Sequence, residues 1–158
     1  MIRLREMTEG EVSKYKPFLV EGYAQDISRN YRIPIDDART RSASQFDRLL
    51  SQGISTPNQS LYIVLLDDGN AIVPIGYLWL GVDETQHRCF IYDIHLHKEF
   101  RGRGWGRETL ELVETRMKER GIGKIGLHVF SDNAIARGLY EKLGYQVVSV
   151  NMQKWLAD

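Results

Sequence analysis

The stretch Asp93-Ile94-His95-Leu96-His97-Lys98-Glu99-Phe100-Arg101-Gly102-Arg103-Gly104-Trp105-Gly106 changes character halfway along. Its start continues an apolar, β-favouring run through Phe90, Ile91, Tyr92, Ile94 and Leu96, whereas its end places glycine at alternate positions 102, 104 and 106. Beyond it, Leu110, Val113 and Met117 recur at three- and four-residue spacing among Glu, Arg and Lys, the pattern of an amphipathic helix. A strand therefore runs through a glycine-rich turn into a helix N-terminus. The first turn of a helix carries N–H groups without internal acceptors and the positive end of the dipole, and glycine lets an anion approach that backbone without meeting a Cβ. With Arg101, Arg103 and Arg107 adding positive charge, the stretch reads as a site for a pyrophosphate.

Two common phosphate loops do not fit. No Lys-Ser or Lys-Thr pair follows these glycines, as a P-loop needs, and Arg107 stands where the dinucleotide fingerprint needs its third glycine. The residues do match R/Q-x-x-G-x-G/A, through Arg101, Gly104 and Gly106, and a second block, N-A-I-A-R-G-L-Y-E-K-L-G-Y from Asn133 to Tyr145, follows after the strand-like K-I-G-L-H-V-F. Both blocks, in this order, resemble the GNAT superfamily of acyl-CoA-dependent N-acetyltransferases. The resemblance covers residues 60 to 156 in sequence and residues 1 to 59 only in the order of elements.

That resemblance implies an α/β fold with a mixed central sheet, splayed between two parallel strands at residues 90 to 97 and 124 to 130, and helices on both faces. It implies acetyl-CoA as cosubstrate and direct attack by an amine, of a small molecule or of a peptide or protein, with no covalent enzyme intermediate. Ile94, His95 and Leu96 would then meet the pantetheine arm through their backbone, with the Leu96 N–H polarising the thioester carbonyl. Arg101, Gly102, Arg103, Gly104, Trp105, Gly106 and Arg107 would form the pyrophosphate turn. Asn133 matches an asparagine that orients the pantetheine arm, and it also suits a helix cap. Tyr140 stands where the family keeps a tyrosine beside the CoA sulfur, able to protonate a thiolate whose pKa is about 8.5; its other reading is packing. For the proton of the attacking amine, Asp93 is the leading carboxylate, against a structural role holding a neighbouring backbone or tyrosine; Glu99 and Tyr92 stand further back. The alternative function is a catalytically silent acyl-CoA sensor on the same fold.

The chain has 158 residues, 42% hydrophobic and 27% charged, which suits one domain over residues 1 to 158. Lys plus Arg equals Asp plus Glu at 21 each, so no global basic field argues for nucleic acid; with no RNP-type aromatic motif, an RNA-binding use of R-G-R-G is disfavoured. One cysteine, Cys89, cannot form an internal disulfide, no apolar run approaches the roughly 20 residues of a membrane span, and the N-terminus is too acidic for a signal peptide. No membrane partner and a cytoplasmic location follow as expectations. His95 and His97 share a strand face with Asp93, but no fourth ligand suggests a metal, and none is expected. Cys89 lacks the His and carboxylate spacing of an acylated nucleophile, and His128 reads as structural. Tyr23, Tyr31 and Trp79 suit an acceptor pocket, although such aromatics, like Tyr62 and Trp105, also serve a core.

Elsewhere, Ile2 to Arg5 alternates as a strand, and Thr8 with Glu11 reads as a capping box opening a helix with Val12, Tyr15 and Leu19 on one stripe. Residues 23 to 35 show no clean period before Pro34 and read as a loop walling the acceptor side. Asp36 or Asp37 would cap a second helix carrying Ala38, Ser42, Phe46, Leu49 and Leu50, ended by Gly53. Residues 61 to 66 and 72 to 82 read as strands around a D-D-G-N hairpin. After a last helix capped by Asp132 or Asn133, Tyr145 to Leu156 has no turn between two strand-length runs, so one nearly continuous final strand is predicted. A site walled on one side only would be wide, taking a large amine or a peptide, or would be completed in a homodimer through the exposed strand edge.

Overall fold

The computed structural model describes residues 1–157. In chain order the elements are β1 (Ile2–Glu6), α1 (Glu9–Tyr31), α2 (Ile35–Leu49), β2 (Gln59–Asp67), β3 (Ile72–Asp83), β4 (Arg88–Leu96), α3 (Trp105–Glu119), β5 (Lys124–Leu127) and α4 (Ala134–Lys142). The strands lie side by side in the order β1-β2-β3-β4-β5; every pair is antiparallel except β4 with β5, which is parallel. The D-D-G-N turn joins β2 to β3 with Gly69 at φ 88°, a conformation that glycine adopts without strain.

Helices cover both faces. On one, Leu110, Val113 and Met117 of α3 pack with Val64, Leu78, Leu80, Cys89 and Ile91. On the other, Val12, Tyr15 and Leu19 of α1 and Phe46 of α2 pack with Leu61, Ile63 and Trp79. α1 starts as its sequence signals: the Thr8 hydroxyl accepts from Glu11 N–H at 3.2 Å, and a Glu11 carboxylate oxygen accepts from Thr8 N–H at 2.8 Å.

Four expectations are corrected. Residues 23 to 31 are not loop: α1 continues through Pro17 to Tyr31, because Ala24 and Ile27 have Ala38 of α2 to pack against, and it stops only where Arg32 turns left-handed at φ 52°. Neither Asp36 nor Asp37 caps α2; both lie in its first turn, and Pro34 holds the cap position with its carbonyl accepting from Ala38 N–H at 3.0 Å. α2 also ends before Gly53, at Leu49. Finally, residues 145 to 157 form no strand among the described residues. They make no ladder to β5, so the final β element of the expected order is missing among them.

Candidate functional site

The parallel ladder is short. Arg88, Cys89, Phe90 and Ile91 pair with Lys124, Ile125, Gly126 and Leu127, and there it stops. β4 continues to Leu96 against β3 alone, after a bulge at Tyr92 that makes Trp79 face Asp93 while Leu80 faces Ile91. Beyond the bulge the alternation is regular: His97 N–H donates to Ile75 C=O at 2.8 Å, so the N–H and C=O of Leu96 and Ile94 turn the other way, toward the space where β5 has ended. The carbonyl of Leu96 accepts from Arg101 Nε at 2.8 Å. The sheet therefore opens between β4 and β5, with polar backbone groups on the lip of the opening.

The glycine turn sits at the end of this lip. Gly102 and Gly104 have φ of 72° and 87°, and Gly104 is the cap of α3. A Cβ at either position would meet nothing within 4 Å, whereas one at Gly106 would come 3.6 Å from Leu139 and 3.8 Å from Leu96. Gly106 thus sets how closely α3 approaches α4 and the end of β4. Arg103 is exposed, Arg107 pairs with Glu111 at 2.9 Å, and Trp105 is half-buried against the α3-side core.

The bulge leaves Asp93, His95 and His97 on the α1 side of the sheet. Tyr15 of α1 is buried, and its hydroxyl donates a short hydrogen bond to Asp93. Burial pushes the Asp93 carboxyl up to about 6, while the bond from Tyr15 pulls the other way. Burial also raises Tyr15, with the Asp93 charge second. His95 is pushed down to about 4 by burial first and then by the charges of Arg101 and His97, so it is neutral at pH 7. Its ring lies 4.8 Å from Phe18 and 6.2 Å from Tyr77, an aromatic group opening beside Asp93. Tyr140, on the half-buried side of α4, is raised by burial and then by the charge of Asp93, which reaches it across the splay.

The other candidates fall elsewhere. Asn133 is the α4 cap, its side-chain oxygen accepting from Ala136 N–H at 3.3 Å. Glu99 is exposed in the turn after β4, and Tyr92 stacks on Trp79 at 4.6 Å. Trp79 is buried core, donating to Gln59 at 2.7 Å, while Tyr23 packs on Phe46 and Tyr31 on Phe130. Cys89 is buried, and burial pushes its thiol up to about 11, so it is no nucleophile. His128 is exposed, edge-on to Phe130 at 4.8 Å. Among the described residues no group of three His, Cys, Asp or Glu could hold a metal. Among the described residues no helix is long and apolar enough to cross a membrane. Two surface clefts, of about 410 Å³ beside Asn58 and Glu84 and about 250 Å³ beside Leu4 and Arg116, lie away from the splay.

Sequence reasoning missed Tyr15, Phe18 and Tyr77 as site residues. Tyr15 carried only the helix-stripe signal, and its bond to Asp93 spans 78 residues of chain, which no local pattern reports.

The sequence pattern of the Acetyltransferase (GNAT) family matches residues 23–145. The uncharacterized N-acetyltransferase YycN of Bacillus subtilis (strain 168) is 32% identical over 158 residues, 98% of this chain and 99% of that protein. YdgE of the same organism, also named an uncharacterized N-acetyltransferase, is 29% identical over 97% of each chain. The crystal structure of YycN superposes with a TM-score of 0.91 over the whole of both chains at 31% identity. The PaiA N-acetyltransferase of Thermoplasma acidophilum, solved in complex with coenzyme A, shares the fold at TM-score 0.65 and 18% identity over 96% of this chain and 93% of its own. With the splayed sheet, the glycine turn and near full-length relatives in agreement, the chain belongs to the acetyltransferase (GNAT) family.

Proposed function

We propose that this chain is an N-acetyltransferase that moves an acetyl group from acetyl-CoA to an amine by direct attack. The observation that carries the reading is the β4 ladder, bonded on both sides to Ile91 and on one side only from there to the glycine turn. The residues present fit acetyl-CoA. Ile94 and Leu96 offer backbone donors and acceptors to amides in the opening, and Gly102 and Gly104 leave open space at the N-terminus of α3 for a pyrophosphate, with Arg101, Arg103 and Arg107 around it. When bound, acetyl-CoA supplies an acetyl thioester with a thiolate leaving group.

The chain's own residues have distinct tasks. Asp93 takes the amine proton: its carboxyl is raised toward neutrality, so at pH 7 it is still charged yet a better acceptor than a surface aspartate. Tyr15 holds that carboxylate in place from α1. The Leu96 N–H, on the open side of β4, would polarise the acyl carbonyl, and the Tyr140 hydroxyl, its proton retained by burial, would donate to sulfur as charge develops there. Asn133 orients the pantetheine arm while capping α4. The amine enters on the α1 side, past Phe18, Tyr77 and the neutral His95, a largely aromatic approach suited to an acceptor with apolar surface beside its amino group.

The test is thiol release from acetyl-CoA across a panel of amines and peptides, followed against pH. Protonating Asp93 removes the base, so turnover should fall as pH drops through about 6, and Asp93→Asn should abolish that limb. An unchanged profile would move the base elsewhere, and tight acetyl-CoA binding without thiol release for any amine would favour the sensor reading.

A further inference from the structure

One face of α1 looks across the opening of the sheet. Tyr15, Phe18, Gly22, Asp26 and Arg29 recur at three- and four-residue spacing, which puts them on one side of the helix. The near end of that face touches the end of β4: Tyr15 bonds Asp93, and the Phe18 ring lies 4.8 Å from His95 and 5.8 Å from Tyr77. Its far end is tied to the segment after β5, where Arg29 pairs with Asp132 while holding Asp26 at 2.6 Å. The helix thus bridges from one lip of the splay to the other, and Gly22 falls midway between the two attachments.

The backbone there does not need glycine. Gly22 sits inside a 23-residue helix without a positive φ, where only proline is a poorer choice. Packing does not need it either: a Cβ at Gly22 would meet nothing within 4 Å. Ala24 and Ala38 are different, being completely buried where α1 meets α2, so that neighbours dictate their size. What the missing side chain at Gly22 leaves is room, on the side of α1 that faces the opening. One turn back, Phe18 is 48% exposed, so an aromatic ring borders that room. From Tyr15 to Gly22 is seven residues, roughly 10 Å along the helix axis, a span over which an acceptor held at Asp93 can extend.

We propose that Gly22 determines which acceptors this site takes, by leaving space for a bulky one. The amine reaches Asp93 while an apolar group attached to it lies over the bare helix backbone at Gly22, against the Phe18 ring. This inference rests on the proposed transfer to an amine and adds the class of amine: primary amines carrying a bulky apolar group, aryl groups among them, in preference to short unsubstituted ones. Gly22 takes no part in proton transfer or in holding acetyl-CoA, so it discriminates between acceptors alone.

The measurement is a ratio, kcat/KM for 2-phenylethylamine over kcat/KM for ethylamine, in which effects on the base or on the thioester cancel. The unaltered protein should favour 2-phenylethylamine. Gly22→Leu should lower the ratio about tenfold, chiefly by raising KM for 2-phenylethylamine, with acetyl-CoA affinity by calorimetry unchanged. Gly22→Ala should lower it about threefold while raising the melting temperature, because alanine is the better helix former; it decides the matter if the leucine variant folds poorly. A ratio that favours ethylamine from the start, one that neither variant moves, or acetyl-CoA affinity falling in step with the ratio would each overturn the proposal. If neither amine releases thiol, the transfer reading fails on its own, and the acceptor space is read by nuclear magnetic resonance instead. 2-Phenylethylamine added to the CoA-loaded protein should then shift the Gly22 amide and the Phe18 ring, with weaker binding to Gly22→Leu; no shift at either residue would overturn the inference as well.

Discussion

Between Arg88 and Ile91, β4 is bonded to β3 on one side and β5 on the other; between Asp93 and Leu96 it keeps β3 alone. The first half sends Cys89 and Ile91 into the core, while the second leaves every residue half-buried and turns two peptide groups into the opening. The chemistry of the backbone is the same in both. What differs is whether a neighbour satisfies it, so this strand gains an open polar lip by losing a partner, with the bulge at Tyr92 marking the change.

The contrast can be broken on the open half first. Tyr140→Phe should lower turnover about 10²-fold with acetyl-CoA affinity nearly unchanged, because the hydroxyl acts only as sulfur gains charge; equal rates would return Tyr140 to packing. Gly104→Asn comes next. Asparagine tolerates the left-handed backbone at φ 87°, and its Cβ meets no neighbour, so the fold should survive. CoA affinity measured by calorimetry should nevertheless fall about 30-fold, the worth of a charge-assisted hydrogen bond to phosphate.

A smaller effect sharpens the electrostatics. The bond from Tyr15 lowers the Asp93 pKa against the larger effect of burial, so Tyr15→Phe should move the acid limb of the pH profile to higher pH, by about one unit. A limb that stays still would make the Tyr15 contact purely structural. On the closed half, Ile91→Val should cost about 0.5–1.5 kcal/mol in denaturant unfolding and leave CoA affinity alone. A matching loss of affinity there would erase the distinction between the two halves.

The open half was legible because its signals are local: apolar alternation, then glycines that fold into a positive-φ turn, then a helical stripe, all within 25 residues of one another. α1 was legible at its start, where Thr8 and Glu11 are three residues apart, and not at its end. Val20, Tyr23, Ala24 and Ile27 do repeat at helical spacing, but Pro34 biases the chain before it away from helix, and only packing on α2 decides that the helix continues. The tie between Tyr15 and Asp93 had no local trace. The final strand expected over residues 145 to 156 does not form among the described residues, since a strand is defined by its neighbour and this chain offers that segment none.

The buried state of Cys89 has a practical consequence for following catalysis. Its thiol is sealed behind the sheet and held neutral by a pKa of about 11, so in the native protein it is unreactive toward disulfide dyes and alkylating probes. In the proposed reaction each turnover would liberate one free sulfhydryl on CoA. A chromogenic thiol reagent added to the working enzyme should then report product continuously against a dark protein background, and the slow appearance of one further equivalent per chain would count the molecules that have unfolded.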